Sequence, residues 1–199
     1  MMESRGKLLF ATTPRCVVRP LEQDDYPAFV AAYARSLPAR NRFDEGHIEM
    51  DFMSTEWFEA MLERRRREAE ADECYMLHMF CRETGRSIGY GNIRTLYRGE
   101  IQCGEIGYTI YNNYWNQGYG AELADALTRI GFDTLHFHRL EAYINLDNPA
   151  SEAVIQKCGY VREGIREKYL LEDGVWTDNL VYYRLDPGWT PRDAGRVKR

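Results

Sequence analysis

Residues 111–122 read YNNYWNQGYGAE, and the strand, turn and helix they imply organise the rest of the chain. Ahead of them Ile106, Tyr108 and Ile110 alternate along the chain, the period of a strand with one covered face. Behind them Leu123, Leu127 and Ile130 fall at helical spacing. Between the two lies Gly118-Tyr119-Gly120. Glycine lets backbone approach a ligand because no Cβ intervenes. The first N–H groups of a helix have no intrahelical partner, and the aligned peptide dipoles gather positive charge there. Such a turn suits a phosphate or pyrophosphate. The plainer reading is a strand-to-helix connection whose glycines permit tight packing. A Walker loop is excluded because no Lys-Ser or Lys-Thr follows the glycines, and the dinucleotide fingerprint needs a third spaced glycine.

Bulk properties narrow the class. A chain of 199 residues, 44% hydrophobic and 13% aromatic, suits one domain with a substantial core. The N-terminal MMESRGKLLFATTP has too short an apolar run for a secretory signal, and no stretch could span a bilayer, so a cytoplasmic protein with no membrane partner is expected. Cys16, Cys74, Cys81, Cys103 and Cys158 are odd in number and widely spaced, which fits reduced thiols rather than a disulfide framework or zinc site. The net charge of -5 gives no general affinity for nucleic acid and is compatible with a cationic substrate. Arg64 to Arg67 form the dense basic run, read as a solvated helix end. His136 and His138 could face a metal from a strand, but nothing completes a site, and no metal is expected.

A pass along the chain predicts a strand at 16–19, a helix opening at 22–25 and running to 35, and a helix over 54–71. Strands follow at 74–82, 87–97 and 102–111, then the glycine-turn helix over 118–135. A strand around 140–144, a helix over 149–158, and strands at 160–171 and 175–185 complete it, the last two joined by an Asp173-Gly174 hairpin turn. That is an α/β chain of the α+β type, with about seven strands and about four helices in one mixed sheet. The domain is expected to span 15–186, with 1–14 and 187–199 as terminal extensions and the latter loose. Gly107 interrupts a good strand, which suggests a bulge or a close approach by another backbone or a ligand. A long ligand with a pyrophosphate at one end and an amide-bearing arm at the other, the shape of coenzyme A, could bind turn and strand together.

With these residues in order, the chain resembles a GNAT-superfamily N-acetyltransferase, most closely the RimJ/RimL-like branch that acetylates ribosomal-protein N-termini. The pieces are VRPLEQDD at 18–25, SIGYGNI at 87–93, EIGYTI at 105–110, WNQGYGAEL at 115–123, NPASEAVIQKCGYVREG at 148–164 and GVWTDNLVYYRL at 174–185. The resemblance implies the GNAT-like acyl-CoA fold, with a mostly antiparallel sheet, and acetyl-CoA as cosubstrate. It implies that Gln117, Gly118, Tyr119, Gly120 and Ala121 hold the pyrophosphate through backbone amides. Trp115 stands where the family usually has Arg or Gln, a departure that leaves a backbone contact intact. Ile106, Tyr108 and Ile110 would pair with the pantetheine arm, and Asn148 would reach it.

The reaction implied is direct attack of a primary amine on the thioester. A free thiol titrates near roughly 8.5, so thiolate is a tolerable leaving group and a weak acid suffices. In many relatives a Tyr on the last helix supplies that proton, but the position here is Ile155. Ser151 stands where the Rim-type branch has a Ser and is the candidate donor, with an ordered water as its competitor. Glu105 is the candidate base; the competing reading is a Glu that pairs with a cation or orients the substrate. Glu163 and Asp178 match acids of this branch that could line the acceptor pocket or hold the hairpin. The acceptor is expected to be a protein or peptide N-terminus. The alternatives are a small amine (polyamine, amino acid or aminoglycoside) and a non-catalytic acetyl-CoA sensor. A homodimer is raised by the resemblance alone.

Overall fold

The computed structural model describes residues 9–48 and 51–191. Eight strands form one sheet: β1 (Ala11–Thr12), β2 (Cys16–Arg19), β3 (Cys74–Cys81), β4 (Ser87–Tyr97), β5 (Cys103–Ile110), β6 (Arg139–Asn145), β7 (Val161–Glu172) and β8 (Val175–Leu185). Their order is β1-β2-β3-β4-β5-β6-β8-β7. Every neighbouring pair is antiparallel except β5 with β6. Four helices cover it: α1 (Tyr26–Ala34), α2 (Thr55–Glu70), α3 (Tyr119–Arg129) and α4 (Pro149–Lys157).

The mixed, mostly antiparallel sheet and the four helices are as expected, with one strand more. β1 has two residues, too few to show a period of two in the sequence. Leu9 and Ala11 are nonetheless buried in the core, so the packed body begins ahead of residue 15. At the other end Trp189 is docked: its indole donates to the His136 carbonyl at 3.2 Å and packs edge-on to His138. Residues 1–8 and 192–199, the rest of the expected extensions, lie outside the described residues. Among the described residues no helix is long and apolar enough to cross a membrane.

Two apolar layers sandwich the sheet. On one face Leu123 and Leu127 of α3 and Ile155 of α4, all fully buried, pack on Ile106, Leu140 and Ile144. Each such side chain contributes about 1.5–3 kcal/mol by leaving water. On the other face α1 and α2 bring Phe29, Phe58 and Met61 against Tyr111. Ser54 caps α2 by accepting from the Trp57 N–H at 3.2 Å. A short 3-10 turn, Gln23–Asp25, precedes α1. Arg19 grips Asp25 with two hydrogen bonds of 2.6 and 2.8 Å, which accounts for the Arg and terminal Asp of the segment at 18–25.

The predicted helix over 118–135 divides. α3 ends at Arg129, and Ile130–Thr134 forms a wider π turn. Gly131 sits in that turn, where a Cβ would come within 2.7 Å of Leu140. Asp173 and Gly174, both at positive φ, close the β7–β8 hairpin as their sequence requires. The bulge expected at Gly107 is absent, because Asn92 and Gly107 are regular partners across β4 and β5. A Cβ at Gly107 would lie 2.6 Å from Asn92 Oδ1, so the close approach is made by a neighbouring side chain. β7, at the sheet edge, carries two register shifts, between Arg162 and Gly164 and between Arg166 and Leu170.

Candidate active site

The parallel pair β5–β6 holds for three residue pairs only: Cys103 with Arg139, Gly104 with Leu140 and Glu105 with Glu141. Beyond Glu105 the strands separate. Residues 106–110 of β5 thus keep one strand neighbour, β4, and face a cleft on the other side. The cleft has a volume of about 240 Å³ and is lined by Ile106, Gly107 and Tyr108 of β5, Ala142 to Ile144 of β6, and Asn148, Ser151 and Phe43. From Glu105 to Ile110 the strand rises about 17 Å at roughly 3.4 Å per residue, and it ends at the glycine turn.

At that end Gly118 has φ +82°, a left-handed conformation that a side chain adopts only with strain. It starts α3 without offering any side-chain cap. The first intrahelical bond is Glu122 N–H to Gly118 carbonyl, so the N–H groups of Tyr119, Gly120 and Ala121 have no partner in the helix. Glu122 would oppose an anion there, but burial of its carboxyl is outweighed by hydrogen bonds from Thr13 and Arg15, which hold it ionised and paired. Arg15, missed in the sequence, clamps the turn. Its guanidinium donates to the Gln117 carbonyl at 2.9 Å, pairs with Glu122 at 2.6 Å and lies 3.9 Å over the Tyr119 ring. Trp115 closes the other side by donating its indole N–H to the Ile110 carbonyl at 2.6 Å. A Cβ at Gly120 would meet Val154 of α4 at 3.2 Å, so that glycine also serves helix packing.

Midway along the cleft, Ser151 and the Tyr108 hydroxyl share a hydrogen bond of 2.8 Å, and Tyr108 also donates to the Ser151 carbonyl at 3.1 Å. Burial raises the Tyr108 phenol well above its ordinary range, keeping it protonated. Asn148 caps α4, its Oδ1 accepting from the Ser151 N–H at 3.1 Å. That capping bond fixes the start of the helix and therefore the position of Ser151. The sequence places a serine here but not its tyrosine partner, which reaches it from 43 residues away.

At the closed end stands Glu105, half-buried, with no hydrogen bond to its carboxylate among the described residues. Burial raises its carboxyl above the usual range; Arg94 opposes the rise, Glu141 adds to it, and Arg166 opposes it. Glu141, its direct partner on β6, is the reverse case. Burial alone would raise it, but hydrogen bonds from Tyr143 and Arg139 hold it below the usual range. Arg139 bridges Glu141 at 2.7 Å and Glu163 at 2.6 Å, and Arg166 reaches Glu141 at 3.3 Å. Glu163 is thus engaged in this network. Asp178 accepts from the Lys168 N–H at 2.8 Å, inside the second register shift of β7. The neighbouring acids Glu105 and Glu141 have their titrations pushed apart, the pattern that separates an acid–base group from a fixed charge.

The segment between α1 and α2 lies over the cleft and contributes Phe43 to its lining. Asn112 pins it, exchanging hydrogen bonds with the Leu37 N–H and carbonyl at 2.9 and 2.8 Å and donating to Asp44 at 3.0 Å. Arg42 ties it to the β6–α4 connection through two bonds to Asp147, of 2.9 and 2.6 Å. No group of three or more metal-ligating side chains occurs among the described residues.

Residues 15–161 match the family model for the acetyltransferase (GNAT) domain. The chain belongs to the GNAT acetyltransferase family. This GNAT enzyme is 26% identical over 180 residues to the ribosomal protein uS5-alanine N-acetyltransferase of Escherichia coli, covering 90% of this chain and 92% of that one. It is 28% identical over 170 residues to YjcK of Bacillus subtilis, named as an N-acetyltransferase, with 85% and 93% covered. RimJ of Mycobacterium smegmatis, solved in complex with CoA-disulfide, shares the fold at a TM-score of 0.70 and 20% identity, over 91% of this chain and 87% of that one. The GNAT enzyme is therefore an N-acetyltransferase whose relatives include ribosomal-protein acetyltransferases of the RimJ/RimL type.

Proposed function

We propose that this enzyme moves an acetyl group from acetyl-CoA to the primary amine of a protein or peptide N-terminus. The observation that carries the reading is the splay of β5 from β6, which runs from a helix N-terminus with free N–H groups to an unpaired, half-buried glutamate. The residues present fit acetyl-CoA. The N–H groups of Tyr119, Gly120 and Ala121, with Gln117 and Gly118 beside them, are a donor set for a pyrophosphate. The cleft-facing backbone of Ile106, Tyr108 and Ile110 suits an amide-bearing arm, and Asn148 and Ser151 stand across the cleft. When bound, acetyl-CoA supplies the thioester carbonyl as electrophile.

Glu105 acts as base. Its raised carboxyl is better matched to an ammonium than that of an ordinary glutamate. An α-amine titrates near roughly 8 and a lysine amine near roughly 10.4, so an N-terminus makes the lesser demand. Ser151 turns its Oγ proton toward the cleft when Tyr108 gives its single hydrogen to Oγ rather than to the Ser151 carbonyl, so the phenol orients Ser151. Glu163 and Asp178 act by holding the β7–β8 side of the acceptor region in shape. Likeness to the uS5-alanine enzyme over nine-tenths of the chain supports the N-terminal acceptor.

The test is thiol release from acetyl-CoA with a panel of free-N-terminus peptides, spermidine, an aminoglycoside and free amino acids. Selective turnover of peptides is expected. Turnover of spermidine or the aminoglycoside alone would overturn the acceptor class while keeping the chemistry.

A further inference from the structure

The basic run at 64–67 is not uniformly solvated. Arg66 pairs with Glu63 and Glu70 on the outer surface of α2. Arg64 and Arg65, with Arg94 of β4, line a groove of about 620 Å³ between the C-terminal half of α2 and strands β3 and β4. Three acids share that lining, Glu68, Asp72 and Glu73. Asp72 is already taken by Arg98, at 2.7 Å from two of its guanidinium nitrogens. Glu68 lies 3.8 Å from Arg64.

Arg65 and Arg94 have no ion pair among the described residues. Arg65 is half-buried, and its hydrogen-bonding neighbour is His78 Nε2 at 3.0 Å. His78 is buried and kept neutral, first by burial and then by Arg65 itself, so it accepts a bond and returns no charge. Around them stand the phenols Tyr33, Tyr90 and Tyr111, and the Tyr90 hydroxyl donates to Glu45, which makes no ion pair with Arg65. A guanidinium withdrawn from water beside neutral groups is a costly arrangement unless an anion completes it. Arg94 is the direct partner of Glu105 across β4 and β5. The groove therefore begins about one strand spacing, roughly 4.8 Å, from the proposed base.

We infer that this groove binds a carboxylate of the acceptor, an acidic side chain within the first few residues of the peptide whose amine is acetylated at Glu105. This rests on the peptide reading above. An extended peptide advances roughly 3.3 Å per residue, so the side chains of its second and third residues reach Arg94 and Arg65. Of the three acids in the lining, Glu73 has no ion pair among the described residues, so the two unpaired arginines outnumber it.

The experiment compares Ala-Glu-Glu, Ala-Gln-Gln and Ala-Lys-Lys peptides of otherwise identical sequence. Wild-type kcat/KM is expected to favour the acidic peptide over the neutral one by about tenfold. The preference should shrink in about 0.5 M salt and fall close to one in Arg65→Gln/Arg94→Gln. Arg65→Lys, which keeps a charge, should retain part of it and guards against a fold defect. Calorimetric titration of the acidic peptide, in the presence of coenzyme A, reads the groove without chemistry. Equal turnover of the three peptides, or an acidic preference that survives the double substitution, overturns the inference and leaves the peptide reading standing. If no peptide is acetylated, the peptide reading falls, and titration still decides the groove: binding abolished by the double substitution supports it, and no binding to wild type overturns it.

Discussion

The two ends of β5 are built from different materials. Its C-terminal end leads into a turn where the groups on offer are main-chain N–H donors, made available by Gly118 at φ +82° and left uncapped. Its N-terminal end meets Glu105, Arg94, Glu141 and Arg166, side chains from four strands set against one another. On the reading proposed above, the first end would take a ligand part that never varies and needs only one backbone shape. The second would set a proton affinity and admit a particular acceptor, by balancing charges that could each be exchanged.

The substitution with the largest expected effect is Glu105→Gln. Turnover should fall by about 10²- to 10⁴-fold, with acetyl-CoA affinity measured by calorimetry unchanged; an equal loss of affinity would break the division between the two ends. The wild-type rate should fall on acidification with an apparent pKa above that of an ordinary glutamate. Arg94→Gln should move that limb to higher pH and Glu141→Gln to lower pH, following the sign of the charge removed. The raised carboxyl binds its proton more tightly folded than unfolded, so ionising it costs stability as pH rises through its folded pKa. Glu105→Gln should therefore raise Tm at neutral pH, and the gain should vanish in acid.

Next comes a matched pair. Gly118→Ala and Gly85→Ala both put a side chain on a positive φ, +82° and +67°, with no atom within 3.4 Å of the new methyl. Each should cost about 1–2 kcal/mol of stability in a denaturant titration. Gly118→Ala alone should weaken acetyl-CoA binding, by about tenfold, because it also disturbs the N–H groups aimed at the ligand. Similar affinity in both variants would remove the turn from the binding site. Tyr108→Phe should lower kcat by roughly 3- to 10-fold, the worth of one hydrogen bond, leaving acetyl-CoA affinity untouched. Arg15→Ala should do the opposite and least, weakening acetyl-CoA binding by roughly 2- to 5-fold through a looser turn, since its ion pair is partly exposed.

The same difference explains what could be read in advance. A backbone-based turn leaves its mark locally: Gly118, Gly120 and the apolar spacing of Leu123 and Leu127 stand within ten residues, so turn and helix are both legible. Helix caps such as Ser54 and Asn148, and the Asp173-Gly174 hairpin, are legible for the same reason. The charged end is assembled by the sheet order. Arg94, Glu105, Glu141 and Arg166 become neighbours through pairings that no short-range pattern encodes. Glu105 alone was visible there, through family resemblance. Arg15 and the bond from the Tyr108 hydroxyl to Ser151 are not legible, because the partners, Glu122 and Ser151, lie 107 and 43 residues away. Gly107 misled because glycine in a strand reports that something comes close, without saying whether it is a ligand or, as here, Asn92.

One feature of the sheet edge bears on the protein's life among other chains. β7 is long and exposes Val161, Ile165 and Leu171, a combination that invites another extended segment to zip on. Its two register shifts break it into the stretches Val161–Arg162, Gly164–Arg166 and Leu170–Glu172. No incoming strand finds a continuous ladder there, and the charged Glu163, Glu167 and Lys168 sit at the breaks. An apolar rim that would otherwise seed aggregation is thereby kept from templating it.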